Sequence, residues 1–389
     1  MPQSPRSGIV LVRTGLALFV VGIALFCVWM GTSARTQTIH YAKPPDAHDG
    51  KIVYERGCIP CHGSLGKGAP ETSTVFTRPD TFPDFTRCDQ TTAEPNSAWK
   101  DVIVYGGRSR GFSPIMPAFG ELLTNQQIDD VIGYMRTFCA NSHWPRGELN
   151  LPRALVTEKA YPEDEVVLST ALNATGAPSF TTDVIHEQRF GVKNQIEIDV
   201  PVNYADQNHS WTAGPGDITF GLKRVMFSSL KTGSILAVQG GVLAPAGDSK
   251  RGFGSGTTTF EPFASFDQLF PENTFLQFQA GGDLPVDTDK APRSMFWRTA
   301  VGQTFIQRQG LGRMWSPMVE FLANRDFQQG AKTDWDVLPE MQVTISKRQH
   351  IRADIGVQAP FTNTSGRSPQ VIFYVLWDWA DGKLWKGWK

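Results

Sequence analysis

Polar and apolar residues alternate along much of the second half of the chain. Apolar side chains occupy every second position over residues 195–202, and the same period of two recurs within 217–227 and 351–357. Because successive side chains of a strand point to opposite faces, this period predicts β-strands. Gly, Pro, Asn and Asp separate the segments, so the second half is expected to be an antiparallel sheet.

Two architectures satisfy this alternation, a soluble β-sandwich and a transmembrane β-barrel. Many predicted strands run about 10 residues, enough to cross an outer membrane when tilted and longer than strands of soluble sheets. We therefore expect residues 164–379 to form an antiparallel barrel of roughly ten to twelve strands, with a lumen that side chains could largely fill, and the sandwich as alternative. Aromatic residues within or near the strand ends fit the interfacial girdles of membrane barrels: Phe220, Phe227, Phe266, Phe278, Trp297, Phe305, Trp315, Phe321, Phe373 and Trp377.

The first half has helical spacing instead. Residues 46–57 predict a short helix, and residues 124–127 resemble a capping box ahead of apolar positions spaced for a helix. The segment between them is rich in Gly and Pro and predicts loops. At 389 residues the chain exceeds what one hydrophobic core usually supports. A two-domain α + β protein is expected, with a small all-α domain ahead of the barrel.

The amino terminus has the features of an export signal. Arg6 and Arg13 precede an apolar run over residues 16–30, followed by small residues at 32–34. This pattern predicts a secretory signal peptide, with an uncleaved membrane anchor as the alternative. The expected organisation is a signal or anchor over 1–34, a linker over 35–45, the α domain over 46–140, a Pro-containing linker over 141–163, the β domain over 164–379 and a tail over 380–389.

Charge and cysteine usage narrow the possible partners and compartment. The net charge of −1 does not indicate binding to nucleic acid or to an anionic membrane surface. Cys27 lies in the export signal, and Cys58 and Cys61 belong to a motif described below. Cys88 and Cys139 remain, and in an oxidising compartment they are expected to form a disulfide, with two separate buried thiols as the alternative.

Residues 58–62 read Cys-Ile-Pro-Cys-His, the attachment signature of a c-type haem. Cys58 and Cys61, on one helical turn, can each form a thioether to a haem vinyl group, and His62 then lies beneath the iron as proximal ligand. The predicted export agrees, since such attachment takes place on the oxidising side of the membrane. A zinc site completed by Cys88 and Cys139 is the alternative. One covalent haem c is the expected cofactor.

The distal ligand must come from another part of the chain. Met116 lies in a loop flanked by prolines that could present its sulfur rigidly, whereas packing explains Met135 on a helix face. His143 is the rival ligand. Arg108 and Arg110, just before the loop, could pair with haem propionates, although a solvated loop is equally compatible with them.

Residues 46–140 resemble a class I c-type cytochrome domain. The resemblance is carried by the Cys58, Cys61 and His62 motif, by the Met-Pro-Ala-Phe loop that begins at Met116, and by the predicted closing helix over 122–138. It implies two thioether sites, a His62 proximal ligand and a Met116 distal ligand. The extra cysteine pair is not part of the family pattern.

The β half is similar in part to outer-membrane transporters found with phenol-degradation pathways. The similarity lies in Gly-Pro-Gly-Asp-Ile-Thr-Phe-Gly-Leu-Lys at 214–223 and Leu-Ala-Pro-Ala-Gly-Asp at 243–248. The chain departs from outer-membrane barrels at its end, where the last strand, at 371–379, is followed by residues 380–389 instead of a terminal aromatic. A cytochrome ahead of a barrel is also the layout of porin-cytochrome fusions of iron-oxidising bacteria, an analogy of architecture alone.

These features predict an electron carrier held at the cell envelope. The haem domain is expected to face the periplasm and the barrel to lie in the outer membrane, or the chain to be anchored in the inner membrane through 16–30. Since Met116 would fill the sixth iron position, no enzymatic activity is expected. The expected partner is a redox protein or small redox molecule. The alternatives are a transport barrel with an electron-accepting or sensing haem domain, and a cytochrome subunit of a periplasmic dehydrogenase.

Overall fold

The computed structural model describes residues 43–79, 82–139, 141, 143–173, 178–207, 209–306 and 314–379. The predicted signal or anchor over 1–34 and the predicted tail over 380–389 lie outside these residues, as does most of the linker over 35–45. No helix in the described part of the chain combines the length and apolar character needed to cross a membrane.

The first described domain is helical. Asp46 caps its first helix by accepting from the His48 backbone N–H at 2.8 Å, and Thr124 and Gln127 form the predicted capping box of its last helix. The buried faces of these two helices supply most of the domain core, including Tyr54 and Ile128, each 1% exposed. The helices are α1 (Ala47–Gly57), α2 (Ile59–His62), α3 (Cys88–Thr91), α4 (Asn96–Tyr105) and α5 (Asn125–Arg136).

The second domain is a closed antiparallel barrel. Twelve strands form the ring in the order β1-β2-β3-β5-β6-β7-β8-β9-β11-β12-β13-β14, and β14 pairs with β1. The predicted two-domain α + β fold with a barrel is confirmed, and the sandwich alternative is wrong. The strands are β1 (Glu165–Asn173), β2 (Ser179–Phe190), β3 (Asn194–Gln207), β4 (Ser210–Pro215), β5 (Ile218–Ser229), β6 (Ser234–Ala244), β7 (Thr259–Leu269), β8 (Thr274–Pro285), β9 (Ser294–Gln303), β10 (Phe305–Ile306), β11 (Met314–Asp326), β12 (Asp334–Thr344), β13 (Ile351–Pro360) and β14 (Gln370–Asp378), where β4 and β10 are short additions that pair with β3 and β11.

The barrel is apolar outside and polar inside. On β5, Leu222 is 55% exposed on the outer face while the adjacent Lys223 is 2% exposed in the lumen. On β11, Phe321 is 44% exposed and Glu320 is fully buried. A water-soluble barrel has the opposite arrangement, because burial of apolar surface drives its folding.

Residues 149–163, within the predicted linker over 141–163, run through the barrel lumen. Their backbone N–H groups donate to polar side chains of the wall. Thr157 donates to Glu320 at 2.6 Å, Ala160 to Asp267 at 2.8 Å and Glu163 to Gln195 at 2.7 Å. Beyond the short 3-10 helix that ends at Leu149, these acceptors satisfy a backbone that has no helix or strand partners.

Arg153 anchors the same segment by charge. Its guanidinium contacts Glu165 at 2.9 Å, Glu187 at 3.0 Å and Glu158 at 3.1 Å, and both wall glutamates are fully buried. Lys223 adds a second cation beside Glu158 at 3.4 Å. The carboxylates near Arg153 are thereby paired rather than left as isolated buried charges.

The helical domain lies at the barrel end that holds both ends of the strand ring. Arg189, at the end of β2, donates to the Asp89 carbonyl at 2.9 Å, and Arg348, between β12 and β13, donates to the Gly111 carbonyl at 3.2 Å. Turns at this end include residues 191–193, 230–233 and 270–273. Connections at the opposite end are mostly longer, among them 245–258, 286–293 and 361–369.

Candidate haem site

The Cys-x-x-Cys-His motif forms a single helical turn. The Cys58 backbone N–H continues α1 by donating to the Tyr54 carbonyl at 2.8 Å, and the His62 N–H donates to the Cys58 carbonyl at 2.8 Å. Gly63, at φ 70°, ends the turn in a conformation that favours glycine. Both cysteines are free and half-buried. The turn therefore directs two thiols and an imidazole to one side of the domain.

These side chains line a cavity of about 1250 Å³. This volume exceeds the roughly 300–1,000 Å³ of most ligand pockets. Met116 lies on the cavity wall, in a loop fixed by the Gly107 N–H, which donates to the Met116 carbonyl at 3.0 Å. A Cβ at Gly107 would lie 2.2 Å from the Ser113 carbonyl oxygen, so the loop requires glycine at this close approach. The structure thus brings Cys58, Cys61, His62 and Met116 to one cavity.

The imidazole of His62 is buried among aromatic rings. The Phe82 and Phe85 ring centroids each lie 5.1 Å from that of His62. Burial lowers the pKa of His62 to about 4, so the ring is neutral at pH 7. Its Nδ1 atom is buried without a hydrogen-bond partner among the described residues. A neutral imidazole is the form that binds metal ions.

The four cysteines of the helical domain are not free to share one zinc ion. Burial, reinforced by the nearby Cys61, raises the pKa of the Cys58 thiol to about 11. Cys88 and Cys139 are joined in a disulfide and are not available to complete such a site. The donor set of two thiols, one neutral imidazole and one thioether around a large cavity fits a haem c.

The other predicted site residues have different surroundings. Met135 lies on α5 within the domain core and also reaches the cavity wall. His143 is exposed beside Asn141 and is not among the described residues that line the cavity. Arg110 is buried on the wall and pairs with Asp101 at 2.8 Å, whereas Arg108 is exposed away from the wall.

Two residues of the cavity wall belong to the barrel. Arg348 and His350, in the loop between β12 and β13, line the cavity beside the helical domain. Sequence reasoning missed them, and no motif marks them. They reach the cavity only because the helical domain lies on this end of the barrel.

Comparison with known proteins identifies the first domain. Residues 47–138 match the family model for cytochrome c, and no curated protein matches the chain. A cytochrome c domain implies a haem c and haem-based electron transfer. Solved structures similar to this chain include an outer membrane channel from Pseudomonas putida F1, at 10% identity and a TM-score of 0.43 over 59% of this chain and 100% of that one. They also include the NanC porin, at 7% identity and a TM-score of 0.39, over 55% of this chain and 99% of that porin. The KdgM porin is similar at 6% identity and a TM-score of 0.36, over 55% of this chain and 99% of that porin.

Proposed function

We propose that this chain is a single-haem electron carrier held in the outer membrane by its barrel. The observation that carries the proposal is the convergence of Cys58, Cys61, His62 and Met116 on one cavity. The two cysteines would hold the haem by thioethers, and His62 and Met116 would be the axial ligands. The haem iron supplies a one-electron couple, Fe(II) and Fe(III).

The barrel surface supports membrane insertion. Large apolar side chains such as Leu222 and Phe321 face outward, and charged residues such as Glu320 face the lumen. In lipid this arrangement leaves apolar groups in contact with acyl chains and every strand of the ring paired with two neighbours. The barrel therefore acts as an anchor that fixes the haem domain at the membrane.

The haem domain is proposed to face the periplasm. Outer-membrane barrels have short periplasmic turns and longer extracellular loops. Here the helical domain contacts the end with the shorter turns, through Arg189 and Arg348.

The filled lumen favours an anchor over a transport conduit. Residues 149–163 run inside the barrel, and Arg153 pairs there with buried glutamates. A solute would have to displace this segment and leave the carboxylates without partners, which is costly for buried charges.

We further propose that the chain is not an enzyme and that its partner is a periplasmic redox protein or small redox molecule. With His62 and Met116 both holding the iron, no iron position would be left for a substrate. Electrons would then pass through the haem edge to a docked partner.

Fractionation of cells that express the full chain tests the proposal. Haem-stained protein is expected in the outer membrane, with heat-modifiable migration and a haem domain protected from protease added to intact cells. Cys58→Ser together with Cys61→Ser is expected to abolish haem staining while the barrel still inserts. Stoichiometric zinc without haem, or a chain that is soluble without detergent, would refute the proposal.

A further inference from the structure

The barrel contributes a cationic side chain to the haem cavity. Arg348, between β12 and β13, lies on the cavity wall together with Arg110 of the helical domain. A Cβ at Gly111, the residue after Arg110, would lie 3.9 Å from Arg348 Nε. Arg348 therefore lies beside the segment of the helical domain that carries Arg110.

Of the two arginines, Arg348 is the one whose positive charge is not balanced by a carboxylate among the described residues. Its Nη2 donates to the Gly111 carbonyl at 3.2 Å and its guanidinium carbon lies 5.0 Å from the Phe112 ring centroid. It makes no ion pair with a described residue, whereas Arg110 pairs with Asp101 at 2.8 Å. The nearby barrel residue Arg352 is likewise paired, with Asp378 at 3.1 Å.

Arg348 and Arg110 each have an unused donor as well. The Nε atoms of Arg348 and Arg110 are buried without hydrogen-bond partners among the described residues. Contacts within the protein therefore leave part of the donor capacity of each guanidinium unused, and a charged donor is costly to leave unsatisfied. Guanidinium groups bind carboxylates in two-point contacts, which makes a carboxylate the fitting acceptor.

We propose that Arg348 of the barrel binds a haem propionate, together with Arg110, so that the barrel completes the haem site. This inference rests on the proposed haem function. The haem c has two propionates, and the two arginines supply one cation from each domain. The β12–β13 loop would then adjust the reduction potential of the haem through the charge of Arg348.

The pH dependence of the reduction potential is the readout. A guanidinium beside a propionate stabilises its ionised form, and ionised propionate in turn stabilises Fe(III) and lowers the potential. Other charged groups face the same cavity, namely His350 from the barrel and Asp49, Arg56, Asp84, Arg87, Glu94 and Asp130 from the helical domain. Since these groups are common to all variants, the comparison between variants isolates Arg348.

The experiment compares Arg348→Gln with Lys347→Gln in the full, haem-loaded chain. Lys347→Gln removes the same charge from the same loop at an exposed residue that is not among those lining the cavity. At alkaline pH the propionate is ionised in every variant, so loss of the Arg348 positive charge is expected to stabilise Fe(III) and lower the potential. The pH-dependent step is expected to move upward, because the propionate loses a cation that favours its ionised form, while Lys347→Gln leaves both close to the unsubstituted chain. Arg348→Lys, which keeps the charge, is expected to restore most of the potential.

Equal potentials and equal pH profiles for Arg348→Gln and Lys347→Gln would overturn the inference. If the Arg348→Gln chain does not fold and bind haem, Arg348→His tests the inference instead. This variant is expected to add a step in the pH dependence of the reduction potential at about pH 6.5, where histidine titrates. A profile without that added step would also overturn it. Failure of the haem function itself is distinguished by pyridine-haemochrome analysis of the unsubstituted chain, which would then find no haem.

Discussion

A Cβ atom at Gly50 would lie 2.0 Å from the carbonyl oxygen of Asp130, so α1 and α5 cross in backbone contact at this glycine. The crossing is reinforced by the Asp46 N–H, which donates to the Asp130 carboxylate at 2.7 Å. Tyr54, one turn further along α1, then donates its hydroxyl to the Gly63 carbonyl at 2.8 Å, directly after the haem motif. The position of the motif therefore depends on how closely the two helices approach.

Gly50→Ala is expected to destabilise the helical domain and reduce haem incorporation. The added methyl meets backbone, which cannot move as a side chain can, so the cost is expected at or above the usual overpacking range of about 1–3 kcal/mol. Gly57→Ala is the control for stability alone, because its Cβ would meet Phe119 at 3.7 Å, an ordinary contact, whereas Gly57 itself lines the haem cavity. Thermal unfolding followed by far-ultraviolet circular dichroism compares the two variants. A Gly50→Ala protein as stable as Gly57→Ala would contradict the close crossing.

Met116→Ala is expected to abolish the methionine-to-iron charge-transfer band and to lower the reduction potential. The physical reason is that a thioether ligand favours Fe(II), and its loss leaves water or a weaker ligand on the iron. Met135→Leu, a nearly volume-conserving change in the domain core, is the control and should keep the band. Optical spectra and redox titration measure the two effects. If the band survives in Met116→Ala and disappears in Met135→Leu, Met135 is the ligand instead.

Arg153→Met is expected to destabilise the barrel strongly. It leaves Glu165 and Glu187 buried without their cation, a loss of about 3–5 kcal/mol for a broken buried ion pair. Arg251→Met is the control, since Arg251 pairs with Asp248 at 3.3 Å where both side chains are largely exposed, and such pairs contribute roughly 0–1 kcal/mol. Urea unfolding in detergent compares them. Equal midpoints would mean that Arg153 does not hold the lumen segment.

Local patterns explain which parts of this structure could be predicted. The spacing of Cys58, Cys61 and His62 determines their shared helical turn, and alternation along β5 determines which residues face the lumen. The course of residues 149–163 could not be predicted in this way. Val156 and Thr157 donate to Glu320, more than 160 residues away in sequence, and a polar segment without periodicity is typical of an exposed linker. The place of Arg348 in the site could not be predicted from local patterns either, because only the contact between the two domains brings it to the cavity.

Glu320→Ala combined with Glu340→Ala is expected to open the lumen. These two glutamates accept the backbone N–H groups of Leu155, Val156 and Thr157, so their loss leaves the segment without its partners on this side of the wall. In planar bilayers the unsubstituted chain is expected to show little conductance and the double variant clearly more.

Glu197→Ala controls for the wider lumen that any shortened side chain produces. Glu197 also lies on the wall, but it accepts from Gln239 at 3.2 Å and makes no hydrogen bond to the segment among the described residues. Its variant should therefore remain closed. A steady open pore in the unsubstituted chain would show that residues 149–163 do not block the barrel, and the transport hypothesis would then replace the anchor. Equal conductance in Glu197→Ala and the double variant would show instead that side-chain volume, and not the hydrogen-bonded segment, closes the lumen.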